Sequence, residues 1–240
     1  MKISTGSFDL NNWLNGGYEK DVITMIAGPP GSGKTNFSIL ASCSQSKDGK
    51  KVIFIDTEGG FSVDRVKQIV GENHEKILEN IFLLKPTNFE EQKKCFEKLL
   101  IAVKKEQIGL IVVDGMAMLY RLELGDAVQS KNDLDIKSIN RDIANQMRVL
   151  AEISRKQEIP ILITNQVYSG FVSEEDWKKG LKGETNLVGG DLFKYWSKCI
   201  IELKNESGKK KAILLKHRSI KQKEFSFEIR DEGIFKKGWI

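Results

Sequence analysis

A chain of 240 residues, 40% hydrophobic and 30% charged with four prolines, has the size for one α/β core and the composition of an ordinary globular protein. No apolar run approaches the ~20 residues of a membrane span, no signal-peptide core opens the chain, and three scattered cysteines (Cys43, Cys95, Cys199) suit buried thiols; neither a membrane role, a secreted disulfide scaffold nor a zinc site is expected, and the expected location is cytoplasmic. Thirty-eight Lys and Arg against 33 Asp and Glu give a charge of +5, which alone implies no nucleic acid.

In chain order, residues 4–20 carry isolated apolar positions (Phe8, Leu10, Trp13, Leu14) and then Gly16-Gly17. They read as a short helical turn on the domain edge and a glycine turn into the first strand, with no room upstream for a separate N-terminal domain. Val22–Ala27 is an apolar run, and Gly28-Pro29-Pro30-Gly31-Ser32-Gly33-Lys34-Thr35 follows it and opens a helix. This fits G-x-x-x-x-G-K-[ST] in the strand–loop–helix setting a phosphate-binding loop needs. Glycines let successive N–H groups converge on phosphate oxygens at the positive end of the helix. Lys34 is expected at the β- and γ-phosphates of ATP, Thr35 on Mg²⁺, and Asn36 beside them. The bland alternative is a glycine-rich turn with an exposed Lys and Thr, and the flanking elements speak against it.

Phe37, Leu40 and Ala41 recur at helical spacing until Gly49. Val52–Asp56 is a strand buried on both faces, and it ends in Thr57-Glu58-Gly59-Gly60. Glu58 therefore stands at the sheet edge where open parallel sheets bind ligands. A helix over 63–70, a strand over 81–85 and a helix capped by Thr87 and Glu90 follow. That helix presents Phe89, Phe96, Leu99, Leu100 and Val103 on one face. Leu110–Asp114 is a second buried strand ending in an acid, the expected partner of a phosphate loop, holding Mg²⁺ directly or through water.

Residues 120–134 read as a polar, glycine-containing loop. A long helix then carries Ile136, Ile139, Ile143, Met147, Leu150 and Ile153. Pro160–Gln166 is another buried strand with a polar end, and 168–190 reads as a long loop. The tail alternates like antiparallel strands at 199–204, 211–217 and 225–230, with a turn at 206–208. Between Lys204 and Lys223 it holds eight Lys and Arg against one acid, Glu206.

The ordered set GPPGSGKT, IDTEGG, LIVVDG, ITNQV and KHRSIKQKEFSFEI closely resembles the core ATPase domain of the RecA/RadA recombinase family. The opening segment is similar too, so the resemblance covers nearly the whole chain. Lacking a helix-hairpin-helix domain, the chain looks most like the short archaeal paralogues in that family. The resemblance implies one RecA-like ATPase core over 1–240, a twisted and mainly parallel sheet flanked by helices, with an opening segment at 1–20 and a C-terminal β extension at 198–240. It implies ATP and Mg²⁺ as cofactors, with Thr35 and Asp114 at the metal. By it, Glu58 orients or activates the attacking water, Gln166 senses the γ-phosphate and Arg65 lies near the adenine. Lys216 and Arg218 resemble a pair that faces the ATP of a neighbouring subunit, where cations neutralise charge in phosphoryl transfer. Spacing of i and i+2 on an extended segment suits that pair, and a charge-protected edge strand is the alternative.

DNA contacts are expected from the family's two loops, here at Lys131 and at Tyr168, Lys178, Lys179 and Lys182, where aromatics and lysines meet bases and phosphates. Glu123, Asp126, Glu174, Glu175, Asp176 and Glu184 dilute that field. With the polymerising linker of longer relatives also missing, an accessory or mediator role in recombination and repair fits better than full strand exchange. The expected partners are DNA, single strands preferred, and a second copy or a RadA-type recombinase. A KaiC-like regulatory ATPase acting on proteins, a small-molecule kinase and a nucleotide-locked scaffold are the competing functions. The kinase leaves Gln166, Lys216 and Arg218 unexplained.

Overall fold

The computed structural model describes residues 1–169, 185–187, 189–206 and 208–238. The chain opens with β1 (Lys2–Ile3), α1 (Phe8–Trp13) and β2 (Tyr18–Glu19), which pairs antiparallel with β1. The core then runs β3 (Ile23–Gly28), α2 (Lys34–Lys47), β4 (Lys51–Asp56), α3 (Val63–Val70), α4 (His74–Leu78), β5 (Ile81–Leu84) and α5 (Phe89–Lys105). It continues through β6 (Ile108–Asp114), α6 (Met118–Gln129), α7 (Asp133–Gln157) and β7 (Ile161–Ser169). Last come β8 (Thr185–Leu187), α8 (Asp191–Trp196), β9 (Ser197–Glu206), β10 (Lys209–Lys216), β11 (Lys223–Arg230) and β12 (Gly233–Lys236).

Ten strands form one sheet in the order β12-β11-β10-β9-β3-β7-β6-β4-β5, with β8 added antiparallel to β7. The neighbours from β9 to β5 are parallel, and β10, β11 and β12 continue antiparallel. This is the mainly parallel α/β class with antiparallel C-terminal strands. The continuous apolar runs follow from cover on both faces, because successive side chains point to opposite sides. Ile53, Ile55, Ile111, Val113, Ile161 and Ile163 join one core with residues of α5, α6, α7 and α8. Val52, Phe54, Leu110, Val112 and Leu162 join a second with residues of α1, α2, α3 and α4.

Several expected elements are corrected. Residues 118–129 form helix α6, where a loop was expected: Leu119, Tyr120 and Ala127 are buried along one side, and the Tyr120 hydroxyl donates to Asn140 Oδ1 of α7 at 2.7 Å. One glycine, Gly125, does not break a helix held by such packing. The cap of α5 lies one residue later than Thr87 and Glu90. Asn88 Oδ1 accepts from the Glu91 N–H, and the Glu91 carboxylate accepts from the Thr87 N–H and hydroxyl. Leu100 is exposed, and Gln92 and Cys95 complete the buried face instead. The loop expected at 168–190 is partly strand, since Tyr168 pairs with Asn186 and Val167 with Leu187.

Candidate nucleotide site

β3 delivers the glycine-rich loop. Gly28 is required by space, because a Cβ there would lie 2.6 Å from Ser32 Oγ and 2.9 Å from the Leu203 carbonyl oxygen of β9. The Lys34 side chain curls inside the loop, where its ammonium donates to the carbonyls of Gly28 (2.9 Å) and Pro29 (3.1 Å). Burial lowers its pKa, and the nearby carboxylates of Glu58 and Asp114 oppose that shift. A desolvated ammonium at the mouth of a helix N-terminus gains from an anion.

β6 brings Asp114 beside Thr35. The Thr35 hydroxyl donates to Asp114 Oδ2 at 2.7 Å and the Thr164 hydroxyl of β7 donates to Oδ1 at 2.6 Å. Thr164 Oγ1 also accepts from the Gly115 N–H at 2.7 Å, so two strands fix the carboxylate. Burial raises the Asp114 pKa; the two hydroxyl bonds oppose the rise, and Glu58 and Asp56 add to it. A divalent cation would favour the charged form. Hydroxyl and carboxylate oxygens side by side suit Mg²⁺, which keeps its remaining positions for phosphate and water. Among the described residues no cluster of three or more His, Cys, Asp or Glu could hold a metal without such help.

β4 positions the acid on the other side. Asp56 is buried and accepts from the Gly60 and Phe61 N–H groups (3.1 and 3.0 Å), which bends the chain so that Glu58 projects outward. Thr57 donates to the Asp114 and Gly115 carbonyls (3.0 and 2.8 Å), stitching β4's end to β6's. Gln166 Nε2 donates to Glu58 Oε1 at 3.1 Å. Glu58, Gly115, Ala117, Met118, Arg121, Asn165 and Gln166 line one small crevice. An exposed carboxylate held by an amide can accept a proton from water or orient it.

Lys34, Thr35, Glu58, Asp114 and Gln166 thus converge on one sheet edge. Thr164, Asp56 and Thr57 belong to that network and were not foreseen; their signal was polar residues at the ends of runs already read as strands. Arg65 is held elsewhere: Nε donates to Asn36 Oδ1 (2.7 Å), and the other nitrogens donate to Gln68 and to the Arg230 and Asp231 carbonyls. Arg65 and Asn36 join α3, α2 and the β11–β12 turn.

The basic pair is tied within its own chain. Lys216 Nζ donates to the Lys194 carbonyl at 2.9 Å. Arg218 grips Asp21 with two nitrogens (2.7 and 2.6 Å) and reaches Glu19, contacts that raise its own pKa and lower that of Asp21. β10 ends at Lys216, so the extended i, i+2 geometry does not reach Arg218. Lys131 sits at the α6–α7 turn with φ 54°, and Tyr168 is half-exposed on β7. Lys178, Lys179 and Lys182 lie outside the described residues.

The comparisons agree with this architecture. The Rad51 family model matches residues 1–237. This chain belongs to the Rad51 family. It is similar to the DNA repair and recombination protein RadB of Methanobrevibacter smithii, 40% identical over 238 residues covering 97% of this chain and 95% of that protein. A RadB of Methanococcus maripaludis is 42% identical over 226 residues, covering 94% and 96%. The crystal structure of a RadB recombinase superposes with a TM-score of 0.73 at 30% identity, covering 97% of this chain and 98% of that one. The Rad51-family chain thus shares its fold with that RadB recombinase over nearly all of both chains.

Proposed function

We propose that this Rad51-family chain is an ATP- and DNA-binding accessory or mediator of homologous recombination and DNA repair that hydrolyses ATP slowly with Mg²⁺. Its relatives are named for DNA repair and recombination, and Rad51/RecA proteins are in general ATPases that bind ATP with Mg²⁺. The observation that carries the reading for this chain is the pairing at one sheet edge of Thr35 with Asp114 (2.7 Å) and Gln166 with Glu58 (3.1 Å).

In this reading Thr35 and Asp114 would hold Mg²⁺, which would supply charge neutralisation at the phosphates. Lys34 leaves its two carbonyl partners for the β- and γ-phosphates. Glu58 orients or deprotonates the attacking water. Gln166 of β7, bonded to Glu58, passes the state of that carboxylate along the strand toward the segment that β7 leads to. DNA is the partner, single strands preferred, with Tyr168, Lys131, Lys178, Lys179 and Lys182 as candidate contacts. The chain acts in the cytoplasm, as an oligomer or with a RadA-type recombinase; among the described residues no helix is long and apolar enough to cross a membrane.

The test is the ATPase rate with and without single-stranded DNA, across protein concentration, alongside a DNA titration over salt. Each lost phosphate contact should shallow the slope of log affinity against log salt by about 0.7. No DNA binding at low salt with ATP and Mg²⁺ would replace this reading with the KaiC-like one. Donation of Lys216 and Arg218 to a neighbour requires Arg218 to leave Asp21. Mixing Lys216→Ala/Arg218→Ala protein with Glu58→Gln protein, each inactive alone, should restore activity if donation occurs. A verified mixed assembly without activity excludes it.

A further inference from the structure

The C-terminal sheet forms a wall against the phosphate loop. Leu203 of β9 backs Gly28, and Ile229 of β11 packs so closely on Gly33 that a Cβ there would lie 2.8 Å from its Cδ1. Gly33 has φ +110°, a conformation suited to glycine, so the wall meets the loop where a side chain would be excluded both by space and by backbone conformation. Between those strands runs β10, which begins with three lysines.

The pleat separates the three. Lys209 and Lys211 line a broad cleft together with Lys204, Glu206 and Ser226, their cross-strand partners on one face. Lys210 is on the opposite face, in the row with Ala212 and Leu214, whose side chains are buried in the core that contains Phe37 of α2. It pairs across the strands with Asn205 and Phe227, and Phe227 packs edge-on against Phe37. Continued to the sheet's end, that inward row delivers the Lys210 ammonium to the tip of the phosphate loop. There Nζ donates to the Gly31 carbonyl at 2.7 Å. Lys210 forms no ion pair among the described residues, and Gly31 is exposed, so this cation is uncommitted beside the loop.

We propose that Lys210 is a positioning residue of the nucleotide site, a second cation that the chain's own C-terminal hairpin sets against the outer side of the loop that Lys34 fills from within. It holds the loop tip through the Gly31 carbonyl and adds positive potential that favours di- and triphosphates over a monophosphate. Lys34 works from inside the loop and Lys210 from its outer side, so the two do not compete for one position. The role is supplied within one subunit and needs no assembly. It rests on the nucleotide-site reading above.

The experiment measures ATP, ADP and AMP affinities by displacement of a fluorescent ATP analogue from wild type, Lys210→Met and Lys210→Arg. Lys210→Met should weaken ATP by roughly five-fold, the scale of one exposed charge, with ADP weakened less and AMP unchanged. The difference from wild type should shrink as salt rises, and Lys210→Arg should recover most of it. A structural role alone would weaken all three nucleotides by one factor at every salt concentration, and that result overturns the proposal. Equal affinities of Lys210→Met and wild type overturn it too. If wild type itself binds no ATP, the nucleotide-site reading fails first and the proposal with it; if wild type binds and only the phosphate dependence is missing, the proposal alone fails.

Discussion

Two strand ends of this Rad51-family chain carry charge and lead into turns, and they differ in how the charge is answered. At the edge formed by β3, β4, β6 and β7, Lys34 and Asp114 are buried, hydrogen-bonded and without an ion pair among the described residues. Burial pushes the lysine pKa down and the aspartate pKa up, so each favours an added countercharge. At the end of β10, Arg218 already has Asp21 and Glu19, and His217 Nε2 lies 3.5 Å from Glu19. One region is built with charge to spare; the other is closed on itself. A row of basic residues therefore says less about ligand binding than the absence of partners does.

The largest effects should appear where charge is uncommitted. Lys34→Ala should weaken ATP binding by at least about 100-fold, because it removes the buried cation proposed to meet the phosphates. Calorimetric titration checks this, and near-normal affinity would erase the contrast between the two strand ends. Glu58→Gln should keep ATP binding while lowering turnover by about 100-fold or more, the usual weight of a general base. Turnover at the wild-type rate would remove Glu58 from the chemistry.

A stability test sharpens the comparison. Gly115 joins β6 to α6 with φ +86°, and a Cβ there would lie 2.4 Å from Thr57 Oγ1. Gly115→Ala should cost about 2–3 kcal/mol and lower Tm by roughly 5–10 °C in a chain of this size. Thermal unfolding that matches wild type would show the strand-end stitch to be slack.

The closed region should respond to pH. His217 Nδ1 accepts from the Ser219 and Ile220 N–H groups at 3.1 and 3.2 Å, which holds the turn after β10 and requires a neutral ring nitrogen. Burial lowers the His217 pKa below its ordinary 6.5; Glu19 opposes this, and Lys2, Arg218 and Lys223 reinforce it. As pH falls below about 6.5 the unfolded chain takes the proton first, so stability falls, by at most about 1.4 kcal/mol per pH unit for one group. Denaturant titrations between pH 5 and 8 as round working limits, roughly the range in which histidine titrates, should show that slope, and His217→Asn should flatten it.

The smallest effect concerns α6. Gly125 lies within the helix and an added Cβ would meet nothing within 4 Å. Gly125→Ala should therefore raise stability by about 0.5–1 kcal/mol, read from the denaturation midpoint. A loss of stability would contradict the helix there.

What the sequence determined is what short-range chemistry encodes. The phosphate loop is a local backbone shape, so Gly28–Thr35 reveals it without help. Runs such as VIFID and LIVVD can be continuous only if both faces are covered, which placed Glu58 and Asp114 at strand ends in a parallel sheet. Other features depend on which distant segment lies opposite. Asp114 meets Thr164 from 50 positions away, and Arg218 meets Asp21 across 197. Lys210 meets Gly31 across 179, and the helical state of 118–129 rests on its packing against α7. Residue spacing encodes the period of a helix or strand. It does not encode the countercharge or hydroxyl that a separate strand presents, and that pairing decides which charged groups remain available to a ligand.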